Sequence, residues 1–213
     1  AFLPMGRRRP WILGAQLIMV LVFLSAAVIQ PAATDILLLG TIGFIGNTAT
    51  TFQDVGVDSM AVDLLEENER ARGGGMMFGG QLIGTALATA GTGWAIMKLG
   101  ASGAYLLAAI ALMMVSVYLA AIRERDNERF FPWSVGEAHP VNLERHEGRW
   151  WPILKITLRS ILMPLSLVWA VWLVSRNLQY GVMAGVTPLI GVGQAGLSEG
   201  EVTTITGIAQ LVA

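Results

Sequence analysis

The sequence predicts an all-α, polytopic membrane protein, and three observations support this fold class. Hydrophobic residues make up 54% of the 213 residues and charged residues 14%, whereas soluble domains carry roughly 25% charged residues. The mean hydropathy is +0.60. Apolar runs long enough to cross a bilayer recur between short polar segments. We therefore expect about five complete transmembrane helices and the start of a sixth.

The boundaries of the predicted helices follow from local signals. Pro10 precedes the first apolar run and suits the first turn of a helix. A tight turn is expected over 98–102. Lys155 and Arg159 lie four residues apart among apolar residues, so residues 152–163 are expected to form an amphipathic helix along the membrane interface. The predicted spans are 11–29, 36–65, 73–97, 103–122, 165–190 and a sixth that begins at 202.

The positions of the basic residues predict the orientation of these spans. All but two of the 14 Lys and Arg residues fall in alternate polar segments, and the exceptions are Lys98 and Arg176. Lys and Arg accumulate in cytoplasmic loops of membrane proteins. Residues 1–10, 66–72 and 123–159 are therefore predicted to be cytoplasmic.

Composition also excludes several kinds of site. Cysteine is absent, so no disulfide framework and no cysteine-based metal or redox site is expected. The glycine run 73–75 lacks the Gly-Lys-Ser/Thr that completes a phosphate-binding loop. We expect no enzyme activity, no metal, no cofactor and no nucleic-acid partner. The predicted partners are the lipid bilayer and a small-molecule substrate, with the protein acting as a monomer.

The most unusual stretch lies inside the second apolar run. Asp54 and Asp58 are four residues apart and share one face of a helix, with Gln53 beside them. Carboxylates inside a membrane are costly and by default indicate functional sites. We predict that this face turns toward protein, water or a substrate path. There, Asp54 or Asp58 either binds a coupling proton or contributes to a cytoplasmic gate, and the sequence is compatible with both roles.

A second polar group lies in the fifth predicted span. Arg176 falls near the middle of that span, where a lone cation needs a cavity or a carboxylate. Trp172 is one turn before it. Bidentate hydrogen bonds and stacking suit an anionic or polyhydroxylated substrate, and a salt bridge between helices is the alternative. With two amides from other spans, the predicted substrate-binding residues are Arg176, Asn177, Gln179, Tyr180, Gln81 and Asn47.

The order of spans and loops resembles that of a transporter superfamily. Residues 6–11, Gly-Arg-Arg-Arg-Pro-Trp, look like the end of the loop between helices 2 and 3 of the major facilitator superfamily. Four spans, a long cytoplasmic linker and further spans also match that layout. Because both ends of the chain look cut, we expect an internal piece with a partial major facilitator fold. On this resemblance, 1–122 is part of the N-terminal bundle (helices 3–6), 123–151 the linker, and 152–213 the start of the C-terminal bundle.

A finer resemblance rests on residues 53–70. Gln53-Asp54-Val55-x-x-Asp58, Asp63 and Glu69-Arg70 resemble helix 4 and its exit loop in the peptide/acetyl-CoA transporter family, which includes AmpG-type muropeptide permeases. This resemblance implies proton-coupled uptake of a polar solute, such as a muropeptide or related amphiphilic metabolite, across a bacterial inner membrane. The sequence departs from that family at Gln81, where a basic residue is usual. A glycoside or sugar:cation symporter and a transporter-fold assembly factor for pigment or lipid delivery are alternatives.

The resemblance also implies a gate at the cytoplasmic ends of the helices. Alternating access requires that the two bundles rock around a central site and close one side at a time. The coupling ion in this interpretation is H⁺. The predicted gate residues are Gly6, Arg7, Arg8, Arg9, Asp63, Glu69 and Arg70.

Overall fold

Every regular element in the part of the chain that the structure describes is a helix, and residues 121–139 form turns and loops between α-helices. The computed structural model describes residues 3–32, 34–144 and 150–212, and the side chains of Leu3, Tyr180 and residues 210–212 lie outside this description. The all-α fold class is confirmed, and the spans predicted over 11–29, 36–65 and 165–190 match helices to within a turn. A 3-10 helix over Leu3–Met5 precedes the α-helices of the described residues. These are α1 (Arg9–Ile29), α2 (Ile36–Leu64), α3 (Arg70–Ala120), α4 (Pro140–Glu144), α5 (Trp150–Ile161), α6 (Pro164–Gly193) and α7 (Glu199–Val212).

Helix α3 consists of two helical segments that meet at Gly100. This residue has φ 72° and ψ −179°, outside the helical region, and glycine adopts positive φ without the steric cost that a Cβ would add. The break lies inside the turn predicted over 98–102. That turn is shorter than the sequence suggested, because helical structure continues up to Gly100 and resumes directly after it.

Helix α1 is the centre of the N-terminal part of the fold and packs against both α2 and the second segment of α3. A Cβ at Gly56 of α2 would lie 2.7 Å from Ile12 Cγ1, so glycine there permits the close approach of α1 and α2. On the other side of α1, Ser102 Oγ donates a hydrogen bond of 2.7 Å to Ala27 O. Phe23 contacts Tyr105, with ring centroids 6.5 Å apart. Both neighbours run antiparallel to α1.

The most extensive helix pair joins the first segment of α3 to α7. Small residues line this contact: a Cβ at Gly93 would lie 2.6 Å from Thr204 N and 2.7 Å from Gly200 O. Because such residues let backbones approach closely inside a membrane, they favour tight helix pairs. Of the glycines in the third predicted span, Gly93 therefore serves packing against α7, whereas a Cβ at Gly79, Gly80 or Gly84 would meet nothing within 4 Å.

Length and composition identify which helices can cross a membrane. Within the described residues α1 and α3 qualify, and α5 with α6 count as a third if the two form one span bent by 74°. Helix α2 has 29 residues but carries Asn47, Gln53 and three aspartates, which lower its hydropathy. Its helical structure is confirmed, whereas its passage through the membrane stays a prediction.

Candidate functional site

A cavity of about 680 Å³ lies between the C-terminal half of α2 and the first turns of α3. Its wall is mostly apolar, with Val57, Met77 and Phe78 among its residues. Polar side chains from both helices also line it, and all of them belong to the sets predicted from sequence. They are Gln53, Asp54, Asp58, Arg70 and Gln81.

The packing of α2 explains why the two carboxylates line this cavity. Ala49 and Gly56 are the buried residues of α2, and Gly56 lies against Ile12 of α1. At 100° per residue, Asp54 and Asp58 lie on the side of the helix opposite to that packed face. Both are exposed to the cavity rather than buried in the helix contact. The predicted face of Asp54 and Asp58 therefore opens onto a space that a solute or water can occupy.

Amide acceptors without partners lie at the α1–α2 contact next to the cavity. In the described part of the chain, Gln53 Oε1 and Gln16 Oε1 are buried and accept no hydrogen bond. Contacts of Ile12 with Gly56 and of Met19 with Thr50 set a register that places Gln16 opposite residues 52 and 53. Buried acceptors are costly when unsatisfied, so the α1–α2 contact beside the cavity favours a hydroxyl or amine donor.

Arg70 contributes the one positive charge among the cavity residues described above. Its Nη2 donates a hydrogen bond of 3.3 Å to Val62 O, which fixes the guanidinium near the end of α2. No salt bridge joins it to Asp54 or Asp58 among the described residues. The cavity therefore combines two carboxylates with one cation at its edge, without neutralising either carboxylate by direct contact.

The predicted gate residues separate into two locations. Arg70 belongs to the cavity, and the neighbouring Glu69 precedes α3 with an exposed side chain that caps no helix. Arg8 instead reaches the end of α2, where its Nη2 lies 3.1 Å from Asp63 Oδ2. Arg125 Nη2 donates a hydrogen bond of 3.4 Å to Asp63 O. Two of the segments predicted to be cytoplasmic, 1–10 and 123–159, thus meet at the end of α2 that leads into the third segment, 66–72.

Glu124 caps the N-terminus of α1. Its Oε2 accepts hydrogen bonds from Arg8 N at 2.8 Å and from Arg9 N at 3.0 Å. These N–H groups have no partner inside the helix, and an acidic group at a helix N-terminus is favourable. Gly6, at φ 99°, touches Glu124 so closely that a side chain there would displace the carboxylate. The glycine of the predicted gate is therefore a requirement of this cap.

Arg9 caps the opposite helix end. The residue is 1% exposed, and its guanidinium donates hydrogen bonds to the carbonyls of Leu119, Ala120, Arg129 and Phe130. Two of these carbonyls end α3, where the last four C=O groups lack partners within the helix. Glu124 and Arg9 thus cap α1 and α3 reciprocally. We call Gly6, Arg8, Arg9, Asp63 and Glu124 the capping cluster.

Part of the predicted linker folds back onto this cluster. Arg129 N donates a hydrogen bond of 2.7 Å to Pro4 O, and the guanidinium of Arg123 lies 4.2 Å from the Phe130 ring centroid. Glu128 is fully buried and accepts hydrogen bonds from Asn142 Nδ2 at 2.6 Å and from Arg125 N at 3.0 Å. Residues 123–144 are therefore an ordered extension of the N-terminal part. Of the predicted cytoplasmic segments, residues 1, 2 and 145–149 lie outside the described residues.

The predicted substrate-binding residues of α6 form a separate group. Arg176 lies 5.8 Å from the Trp172 ring centroid, as the spacing of one turn predicts. Trp172 in turn meets Trp169 edge to face, with centroids 5.3 Å apart. Asn177 Nδ2 donates to Leu173 O within the helix at 2.8 Å, Gln179 is exposed, and the side chain of Tyr180 lies outside the described residues. Neither the described side chains of this α6 group nor Asn47 of α2 line the α2–α3 cavity.

Comparison with known families identifies the superfamily. The family model described as Major Facilitator Superfamily matches residues 4–213. The chain belongs to the major facilitator superfamily. Comparisons with curated proteins and with solved structures find no match. This major facilitator is therefore a multi-pass integral membrane protein of a secondary transporter family, which is not a family of enzymes. Its relation to AmpG-type permeases stays a prediction.

Sequence reasoning missed two linker acids of this major facilitator, Glu124 of the capping cluster and the buried Glu128. Glu124 and Glu128 belong to a charged run that begins directly after the fourth span, and such runs usually indicate a solvated segment. The available signal was position: an acid two residues beyond the end of a predicted span can reach a neighbouring helix terminus on the same side. Asn142 offered no comparable signal, because its role depends on the fold of the linker.

The burial of Glu128 leads us to predict how the stability of the protein depends on pH. Burial, opposed by the hydrogen bonds from Arg125 and Asn142, raises the pKa of Glu128 above its ordinary value of 4.5. Because the pKa of Glu128 is higher in the folded than in the unfolded protein, proton binding by Glu128 stabilises the fold below pH 4.5. This contribution is lost as pH rises through the folded-state pKa. Glu128→Gln, which does not titrate, should therefore gain in melting temperature relative to the wild type as pH rises from 4 to 8.

The measurement is the melting temperature of both proteins between pH 4 and pH 8. Each kcal/mol corresponds to about 2–4 °C for a protein of this size. The difference in melting temperature should grow in favour of Glu128→Gln as pH rises. Glu144→Gln, at an exposed position, is the matched control and should follow the wild type. A difference that does not change with pH would show that Glu128 does not titrate in this range.

Proposed function

We propose that this major facilitator couples the movement of H⁺ to the uptake of a polar solute, by alternating access of the α2–α3 cavity. The observation that carries the proposal is the presence of Asp54 and Asp58, one turn apart, in a cavity with a mostly apolar wall. Two ionised carboxylates so close together in such surroundings are unfavourable. Proton binding relieves the repulsion, and proton release at the other membrane face completes the cycle.

The other cavity groups support a polar solute as the cargo. Gln53 Oε1 is a buried acceptor without a partner in the described chain, and Gln81 and Arg70 supply donors on the facing helix. Amide, hydroxyl and carboxylate groups of a muropeptide or a related amphiphilic metabolite would match this combination. The apolar wall would accommodate the less polar part of the same molecule. The departure at Gln81 leaves an amide where a basic residue is usual in AmpG-type permeases.

The cavity volume sets a limit on what can enter. Ligand sites for small molecules usually occupy 300–1,000 Å³, and this cavity is about 680 Å³. A disaccharide or a short muropeptide fits that range. In the complete alternating-access cycle, α6 would approach from the second bundle, and its Trp169, Trp172 and Arg176 would present stacking and bidentate hydrogen-bonding surfaces to the same solute.

Counterflow in proteoliposomes of the full-length protein tests the proposal. Vesicles are loaded with an anhydro-muropeptide, a disaccharide or an acyl-CoA, and entry of the labelled compound is followed. We expect exchange of the anhydro-muropeptide above that of the other two compounds. Exchange of the disaccharide alone would favour a sugar:cation symporter, and exchange of none of the three would contradict the proposed cargo.

Arg176→Ala tests the contribution of α6 to solute binding. Loss of a bidentate, stacked guanidinium should raise KM for uptake about tenfold with little change in the maximal rate, because it removes binding shared by the resting and transition states. Arg176→Lys keeps the charge but loses the bidentate guanidinium. Its KM should therefore lie between those of the wild type and Arg176→Ala. Kinetic uptake assays with matched membrane expression provide the measurement. A variant that never reaches the membrane would assign Arg176 to folding.

A further inference from the structure

Helix α5 and the following helix, α6, meet at a sharp bend. The angle between α5 and α6 is 74°, and Pro164 opens α6 after Met163, which is extended at ψ 140°. If α6 runs close to the membrane normal, α5 lies close to the membrane plane. This geometry agrees with the interfacial helix predicted over 152–163.

The surface of α5 is apolar, basic and uncovered. No residue of the helix is buried within the described chain. Trp150 and Trp151 meet edge to face at its start, with centroids 5.5 Å apart, and are 70% and 63% exposed. Trp rings favour the headgroup level of a bilayer, where one edge is apolar and the other is wet. The exposed apolar surface therefore suits the membrane boundary better than water.

The inner side of the bend forms a groove of about 580 Å³. Most of its surface is apolar, and it is continuous from α5 across the bend to α6. A groove of this shape and lining suits a hydrocarbon chain rather than a soluble anion. The side chains that form it include Ile156, Ser160, Ile161, Leu165, Trp169 and Leu173.

The two cations of α5 lie on the other side of the helix. Lys155 and Arg159 are exposed, do not line the groove, and lie one turn apart, which places them on one face. Residues 150–163 contain no acidic residue, so nothing in that segment neutralises them. Each Lys or Arg near an anionic membrane surface contributes to binding, and long basic side chains extend toward headgroups from an interfacial helix.

We propose that the α5–α6 bend is a docking surface for anionic phospholipid of the cytoplasmic leaflet. Lys155 and Arg159 contact the headgroup phosphates, and an acyl chain occupies the groove on the inner side of the bend. Charge complementarity and the apolar groove carry this assignment together, since neither alone would select a lipid. Binding of this kind anchors the start of α6 at a fixed depth while the bundles rock.

Lipid titration of the purified full-length protein in detergent tests the proposal. The melting temperature is recorded as dioleoyl phosphatidylglycerol or dioleoyl phosphatidylcholine is added. The wild type should respond at lower concentrations of phosphatidylglycerol than of phosphatidylcholine. Lys155→Gln/Arg159→Gln should weaken the apparent affinity for phosphatidylglycerol roughly thirtyfold, about fivefold for each cation. Lys155→Arg/Arg159→Lys, which keeps both charges, should behave as the wild type.

Three further measurements identify which part of the protein and which part of the lipid are responsible for binding. Arg72→Gln/Lys98→Gln removes two exposed charges elsewhere and should retain the preference for phosphatidylglycerol. Ser160→Trp fills the groove and should abolish the advantage of dioleoyl over dihexanoyl phosphatidylglycerol. Glycerol phosphate alone should give no shift. The proposal is overturned if the wild type does not distinguish the two lipids, if Lys155→Gln/Arg159→Gln leaves the titration unchanged, or if glycerol phosphate reproduces the shift.

Discussion

Replacing Asp58 by Asn is expected to abolish proton-driven accumulation of solute while leaving the protein in the membrane. The amide keeps the size and polarity of the carboxyl group but cannot bind and release a proton. One charge moved across 100 mV is worth about 2.3 kcal/mol, so one coupled proton supports roughly fiftyfold accumulation. The variant should lose that accumulation and only equilibrate solute. Asp54→Asn should show the same loss if the two carboxylates act as a pair.

Uptake into energised vesicles and counterflow without a gradient together provide the measurement. Counterflow needs solute binding and alternating access but no net proton movement, so it should persist in Asp58→Asn. Asp126→Asn, a change of the same chemistry at an exposed linker position, is the control and should accumulate solute normally. Undiminished accumulation in both cavity variants would remove Asp54 and Asp58 from coupling and leave them a structural or gating role.

Replacing Arg9 by Ala is expected to cause the largest loss of stability. The substitution removes the side-chain donor from four part-buried carbonyls at the end of α3 and in the linker. It also removes a cation that interacts with Glu124 and Glu128. Removing one partner of a buried charged network costs about 3–5 kcal/mol. The melting temperature should therefore fall by about 10 °C. Arg9→Lys should recover part of the loss, because an ammonium cannot reach all four carbonyls.

The matched control for Arg9→Ala is Arg7→Ala, two residues earlier and only partly buried. Substitutions away from buried networks usually change stability by less than about 0.5 kcal/mol. A melting temperature of Arg9→Ala equal to that of Arg7→Ala would contradict the capping role. The partly exposed Arg8–Asp63 pair, with side chains 28% and 21% exposed, should matter less, since such pairs contribute about 0–1 kcal/mol.

The capping cluster changes the interpretation of the predicted gate. In the described chain, every side-chain partner of Arg8 and Arg9 lies between residues 63 and 130. These contacts hold α1, α2, α3 and the first part of the linker together, within the N-terminal part of the protein. A role for the same residues in closing the cytoplasmic side stays a prediction. In that role they would move together with the N-terminal bundle, because the caps join its helices.

The sequence predicted the helices well because their signals are local. Hydrophobic runs and Pro10 define α1, and the aspartates of α2 could be assigned to one face by periodicity alone. The linker was harder, because the partners of Glu124 and Glu128 are fixed by the fold rather than by spacing. Arg9 lies more than one hundred residues from the carbonyls that it caps, and no local pattern indicates such a contact.

The candidate site was predicted in part for the same reason. Gln53, Asp54, Asp58, Arg70 and Gln81 come from adjacent helices joined by a short connection, so one cavity brings them together. Arg176 was expected near the same space but lies on α6, which contacts α5 and α7. Joining it to the cavity requires the relative placement of the two bundles, and helical periodicity carries no information about that.

Proton movement that accompanies solute entry tests the central claim most directly. Proteoliposomes containing the full-length protein and an internal pH dye are held without a gradient, and an anhydro-muropeptide is added outside. Coupled uptake should acidify the interior of wild-type vesicles, and vesicles with the Asp54→Asn/Asp58→Asn protein should show no change. Solute entry without acidification in the wild type, or equal acidification in the double variant, would contradict coupling through the α2–α3 cavity.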